Sequence, residues 1–170
     1  MENVIVLGLV GFLVGGLLAS LAEYWVHVLM HRRIFLGRTH MNHHREPEDE
    51  SWFKQFAYYV LGGALPWAAV IAVCWWVEVL PFGVGVAVGG VSWSAWVAYA
   101  HTLQHYKPEL VFWMKLPVHH LHHEHETARH NFGLSVDWWD RVFGTYKPLP
   151  WKPRESIRFS VWGLLKIRWI

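Results

Sequence analysis

Three stretches without a single Asp, Glu, Lys or Arg constrain this chain more than anything else in it: residues 3–22, 56–77 and 82–100. Each is close to the roughly 20 apolar residues that carry a helix across a bilayer. One such stretch could be a buried core helix, but three within 170 residues predict membrane spans. Composition agrees, since 54% of residues are hydrophobic, only 16% are charged and 13 are Trp, outside the usual soluble range. The expected fold class is all-α: an integral membrane helical bundle of three to four spans, with a cytoplasmic His-rich helical cap, in a single domain over residues 1–170. Glu2 stands where a signal peptide would be basic, so the first stretch is expected to stay in the protein.

Charge sets the orientation. Arg32, Arg33, Arg38, Arg45 and Lys54 lie between the first two stretches, and Lys107 and Lys115 follow the third. The turn from Glu78 to Pro81 has no basic residue. The positive-inside rule then places the first loop and the C-terminal part in the cytoplasm and the N-terminus outside. The formal charge of +2 reflects this distribution and calls for no nucleic acid.

Smaller signals fill in the outline. Gly11 and Gly15, extended by Ala19, and Gly85 and Gly89 put small residues on one helical face, as close packing in lipid requires. Pro66 is expected to bend the second span, and Pro81 with Gly83 to make the turn of a helical hairpin. Residues 110–118 are too short to span and are expected to dip into the interface, as a further helix. Residues 147–170 interleave Lys, Arg and Trp with apolar residues, the pattern of an interfacial segment along an anionic leaflet. Cys74 is the only cysteine, so a disulfide or a thiolate metal site cannot be built.

All 13 histidines fall on the side that charge counting makes cytoplasmic. His27 and His31 are four apart, as are His101 and His105, and residues at i and i+4 share a helix face. His40, His43 and His44 form HxxHH, and His119, His122 and His123 form a second. On a helix, HxxHH presents two imidazoles on one face and a third on the adjacent one, within reach of a neighbouring metal. Ten imidazoles exceed the roughly four to six ligands of one metal, so they point to a pair with positions left for solvent or dioxygen. HExxH is absent, which argues against a zincin protease. ExxH pairs are absent too, which excludes the carboxylate-bridged diiron bundle, and GxSxG and P-loop motifs are missing.

HxxxH, HxxHH, HxxxH and HxxHH in this order, followed by Asn131-Phe132-Gly133 and WWDRVFGTY at 138–146, resemble the fatty acid hydroxylase/sterol desaturase superfamily of integral membrane diiron oxygenases. The likeness runs from about Glu23 to Tyr146. HMNHHREP also resembles the related carotene hydroxylase branch, but the WDRVFGTY ending does not. The closer likeness is to bacterial-type sterol desaturase and fatty acid hydroxylase members.

The resemblance implies O2-dependent hydroxylation of an unactivated C–H bond in a membrane lipid, whether fatty acyl, sterol or a related chain. It implies two Fe2+ ions held by His27, His31, His40, His43, His44, His101, His105, His119, His122 and His123. Zinc has no accessible second redox state for this step, but it binds histidine sites tightly and is expected in protein as isolated. Electrons must come from a separate donor of ferredoxin or cytochrome b5 type. His120, His125 and His130 exceed the ten-position pattern, and act as alternative ligands or from outside the first ring. Two roles are open to Glu23: orienting His27 through its second nitrogen, or pairing with Arg32 or another base. Asp137, Asp140 and Arg141 are expected to form an Asp–Arg contact that locks the C-terminal segment. Asn131 and Gly133 are expected to shape the turn below the site. Trp93, Trp96 and Tyr99 either line a substrate channel or pack against helices, the plainer reading.

Within the superfamily a desaturase or carotenoid hydroxylase would use the same metals. A His-rich membrane metal transporter or sensor is the rival from another class. That rival predicts ionisable residues along a path through the spans, and the three apolar stretches contain none.

Overall fold

The computed structural model describes residues 2–45, 51–125 and 129–170. Glu46 and Pro47 of the HMNHHREP stretch lie outside the described residues. Among those described, every regular element is helical.

Three long helices form the membrane part: α1 (Glu2–His31), α3 (Trp52–Trp76) and α4 (Leu80–Tyr106), with α2 (Gly37–Arg45) between the first two. The three are long and apolar enough to cross a bilayer, so the chain is an integral membrane protein. Ile5, Leu9, Leu13, Leu61 and Leu65 face outward, as lipid-facing side chains do. Each helix runs beyond its uncharged stretch. The 30 residues of α1 would measure about 45 Å against a hydrocarbon core of roughly 30 Å. His27 and His31 ride on the surplus length of α1, and His101 and His105 on that of α4.

Helix α4 is central, packed against both α1 and α3. Its seam with α1 consists of the small residues read from the sequence. A Cβ on Gly11 would stand 2.2 Å from the Phe82 carbonyl oxygen, and one on Gly15 2.0 Å from that of Val86. From the other side, Gly85 abuts the Gly8 oxygen and Gly89 that of Phe12. The backbones touch, and nothing larger than glycine fits.

Two local expectations change. The turn between α3 and α4 is made by Val77–Val79, with Glu78 at φ 62°. Pro81 sits in the first turn of α4, where its missing N–H costs nothing, and Gly83 makes room for Cys74. Helix α3 runs unbroken through Pro66. Residues 110–118 do not form the expected extra helix. After a 3-10 turn at Pro108–Leu110 the chain is irregular until α5 (Val118–Glu124). Leu110, Val111, Met114 and Val118 turn inward against Leu103 and Ile167 instead. Two short helices follow, α6 (Trp138–Val142) and α7 (Val161–Leu165).

Candidate metal centre

The ends of α1 and α4 meet α2 and α5, and all ten histidines of the motif pattern converge there. They divide into two groups of five. His27, His31, His40, His44 and His122 form one; His43, His101, His105, His119 and His123 form the other; within each group one nitrogen per ring lies within 4.8 Å of the rest. The division follows helix geometry. In α2, His40 and His44 share a face and enter the first group, while His43 turns to the second. In α5, His119 and His123 enter the second group and His122 crosses to the first. His44 and His123 stack at 3.9 Å and 12°, joining the groups where both rings are half-buried.

Proton accounting decides what these rings suit. His27 Nδ1 donates to the Phe132 carbonyl at 2.6 Å and His122 Nδ1 to that of His130 at 2.8 Å. His101 Nδ1 donates to Gln55 Oε1. A neutral imidazole has one N–H, so Nε2 of these three rings is a bare lone pair. Those lone pairs face other imidazoles: His27 Nε2 is 3.1 Å from His40 Nε2, and His122 Nε2 is 2.7 Å from His31 Nε2. Two nitrogens about 2.1 Å from a shared ion and at right angles across it stand about 3 Å apart. In the second group, His123 has both ring nitrogens buried without a hydrogen-bond partner, and His119 has its Nδ1 so. Nitrogens brought this close, with a bare lone pair on at least three of them, fit a shared cation.

Electrostatics keeps the rings neutral. Burial, reinforced by adjacent imidazoles, pushes His122 down to about 3 and His40 to about 2. Burial alone takes His43 to about 4, and with His43 beside it His44 falls to about 4. His119 and His123 are displaced in the same direction for the same reasons. Neutral imidazole is the metal-binding form.

The NFG and WWDRVFGTY stretches hold the carbonyl that His27 needs. Asp140 is buried and accepts from the Phe132 and Gly133 amides, each at 2.8 Å, and from the Thr145 hydroxyl at 2.7 Å. Asp140 therefore takes no part in the expected Asp–Arg contact. Arg141 makes that contact with Asp137, at 2.6 Å and one turn apart at the start of α6, a local pair and not a lock on the C-terminal segment; a fully buried carboxylate is better matched by converging amides than by an exposed guanidinium. Burial raises Asp140 above the usual carboxylate range, against the pull of those donors. Asn131 shapes the turn as expected, at φ 61°; its side chain donates to the Lys147 carbonyl and accepts from the Lys147 amide. A Cβ on Gly133 would meet the Val136 oxygen at 2.0 Å.

Glu23 does not orient His27, whose second nitrogen is taken by Phe132, and no ion pair holds it among the described residues. Its carboxylate accepts from the Ser135 amide (3.0 Å), the Ser135 hydroxyl (2.8 Å) and Trp93 Nε1 (2.7 Å), so it ties the same loop to α1 and α4. Trp93 and Trp96 line an apolar groove of about 320 Å³ with Phe12, Leu17 and Trp138. Tyr99 packs into the core and donates to Leu164. The three surplus histidines stay outside both groups. His120 lies 3.7 Å from Glu124, His125 donates to the Pro150 carbonyl, and His130 lends His122 its backbone oxygen.

Two residues escaped the sequence reading. Gln55 is buried between His101 and Thr102, donating to the Thr102 hydroxyl at 3.3 Å. Gln104 is buried beside His105, accepts from the His119 amide at 2.9 Å and donates to the Leu134 carbonyl. The only signal was an amide side chain at the inner edge of an apolar span.

A protein-family model described as fatty acid hydroxylase matches residues 12–145. The chain belongs to the fatty acid hydroxylase family. No curated protein and no solved structure matches it. Fatty acid hydroxylases are membrane diiron oxidoreductases, and the paired histidine groups make this chain an enzyme of that kind.

Proposed function

We propose that the protein hydroxylates an unactivated C–H bond of a membrane lipid, using dioxygen at two iron ions held by the ten histidines. One observation carries this reading: ten imidazoles sorted five and five, one nitrogen of each ring converging at the end of a membrane bundle. Iron bound there supplies reductive activation of dioxygen, which zinc in the same ligands does not. The reaction balances as C–H plus O2, two electrons and two protons giving C–OH and water.

The chain's own residues do the rest. Phe132, His130 and Gln55 fix three rings by taking their N–H protons, which also makes those rings better donors. Buried His27 and His101 each stand one turn nearer the apolar stretch of their span than His31 and His105. Half-buried His31, His44, His105 and His123 form the rim, where electrons from a separate ferredoxin- or cytochrome b5-type donor would arrive. The basic loop and this rim face the cytoplasm in the proposed orientation. The lipid tail stays in the bilayer while its reactive carbon reaches the centre.

Protein from iron-supplemented cells should carry close to two metals per chain, and His43→Ala or His122→Ala should lose them. Lipid mass spectrometry of cells expressing wild type against His101→Ala should reveal an O2-dependent +16 species. A −2 species would turn the reading to desaturation, and no new species would refute it.

A further inference from the structure

Two exposed apolar patches lie where the spans leave the membrane, and the metal centre uses neither. The first follows α1. Ile34, Phe35 and Leu36 are 69%, 51% and 53% exposed, between Arg33 at φ 58° and Leu36 itself at φ 48°. That left-handed backbone suits glycine, so bulky residues are held there with their side chains turned outward. Gly37 must follow, because a Cβ there would meet the Met30 oxygen at 2.8 Å. Arg32, Arg33 and Arg38 flank the patch, all exposed, with no acidic residue among residues 32–38.

The second patch is α7, where Val161 and Trp162 are 67% and 74% exposed. Its height is fixed by the ends of two spans. Tyr99 donates to the Leu164 carbonyl at 3.0 Å and Lys107 Nζ to that of Lys166 at 2.7 Å. The Trp52 and Phe53 amides, which open α3, donate to Arg168 and Trp169. Arg158, Lys166 and Arg168 accompany the patch, again with no acidic residue from 157 to 170. Because α4 stands between α1 and α3, the two patches flank the bundle.

We infer that Ile34–Leu36 and α7 insert into the headgroup–acyl boundary of the adjoining leaflet on either side of the spans, with their cations on anionic headgroups. Apolar side chains flanked by cations, at the level where spans emerge, match what such a boundary offers. A solvent-facing patch of this kind would promote aggregation. The consequence is a cap seated flush on the leaflet, and it holds whatever metal or lipid the centre takes.

Spin labels report this depth directly. Single cysteines at Phe35→Cys and Trp162→Cys, on a Cys74→Ala background, are placed in nanodiscs of phosphatidylcholine with phosphatidylglycerol. Collisions with oxygen should dominate over those with a polar nickel chelate, as at Leu65→Cys within α3 and opposite to Asn42→Cys on α2. Ile34→Cys and Val161→Cys repeat the reading if either first variant fails to fold. Nickel accessibility equal to that of Asn42→Cys would overturn insertion, and exclusion of both relaxants would assign the patches to a protein partner or a second copy. Phosphatidylcholine alone should make both sites shallower; unchanged depth would overturn the anionic preference.

Discussion

Gln55→Leu is the sharpest test of the histidine centre, because it touches one group of five and leaves the other alone. The side chain is buried, accepts the Nδ1 proton of His101 and donates to Thr102. Leucine is of similar size but accepts nothing, so the His101 N–H is left buried and unpaired. An unsatisfied buried donor costs about 1–3 kcal/mol. Loss of an outer partner of a metal-binding histidine weakens affinity by about 10–100-fold, which is about 1.4–2.7 kcal/mol. The two routes agree. Competition with a chromogenic chelator should therefore show one equivalent of metal weakened by that factor and the other unchanged. Gln55→Glu keeps an oxygen facing His101 and should hold metal at least as tightly as wild type. Two unchanged equivalents, or two weakened alike, would refute the assignment of His101 to a centre distinct from that of His27.

Further outcomes follow from other contacts. Asp140→Ala removes the acceptor of two amides and a hydroxyl and should cost about 3–5 kcal/mol, read as a lowered thermal midpoint in detergent with metal lost first from the His27 group. Gly15→Leu drives side-chain atoms into the Val86 backbone and should abolish folded protein on size exclusion, whereas Gly62→Leu, with open space at its Cβ, should not. In metal-stripped protein, His43 and His44 lie near 4 and His122 near 3, all below the ordinary value of about 6.5. The unfolded chain then binds more protons between those values, so stability should be flat above pH 7 and fall as pH drops through 6.5 towards 4. A stability maximum near pH 5 in denaturant titrations would contradict buried, neutral rings.

The sequence announced what side chains announce. Uncharged runs revealed the spans, glycine spacing revealed the α1–α4 seam, and i, i+4 and HxxHH spacing revealed which rings could share a face. What it hid was the other end of each hydrogen bond. His27 and His122 are oriented by backbone carbonyls of Phe132 and His130, and a carbonyl has no letter of its own. Glu23 sits one turn from His27 and invited a local pairing, yet its partners Trp93 and Ser135 are brought to it only by the folded chain. The expected Asp–Arg contact falls to Asp137 for a related reason: Asp137 and Arg141 stand one turn apart, whereas burial matches Asp140 with amides. Gln55 was passed over because it stands just before the second apolar stretch rather than in a motif.

His43 and His44 are joined by one peptide unit and serve different groups, and so do His122 and His123. Covalent geometry, about 3.8 Å between successive Cα atoms, thus works as a ruler between the two centres twice over, once in α2 and once in α5. Substitutions along the groove at Phe12, Leu17 or Trp96 leave that ruler in place. Inserting a single residue within either doublet would swing one imidazole about 100° around its helix and take a ligand from one group while its neighbour keeps its place in the other. Chain length there is a harder constraint than residue identity in most of the spans, and it leaves the membrane-facing surface free to diversify around an unaltered core.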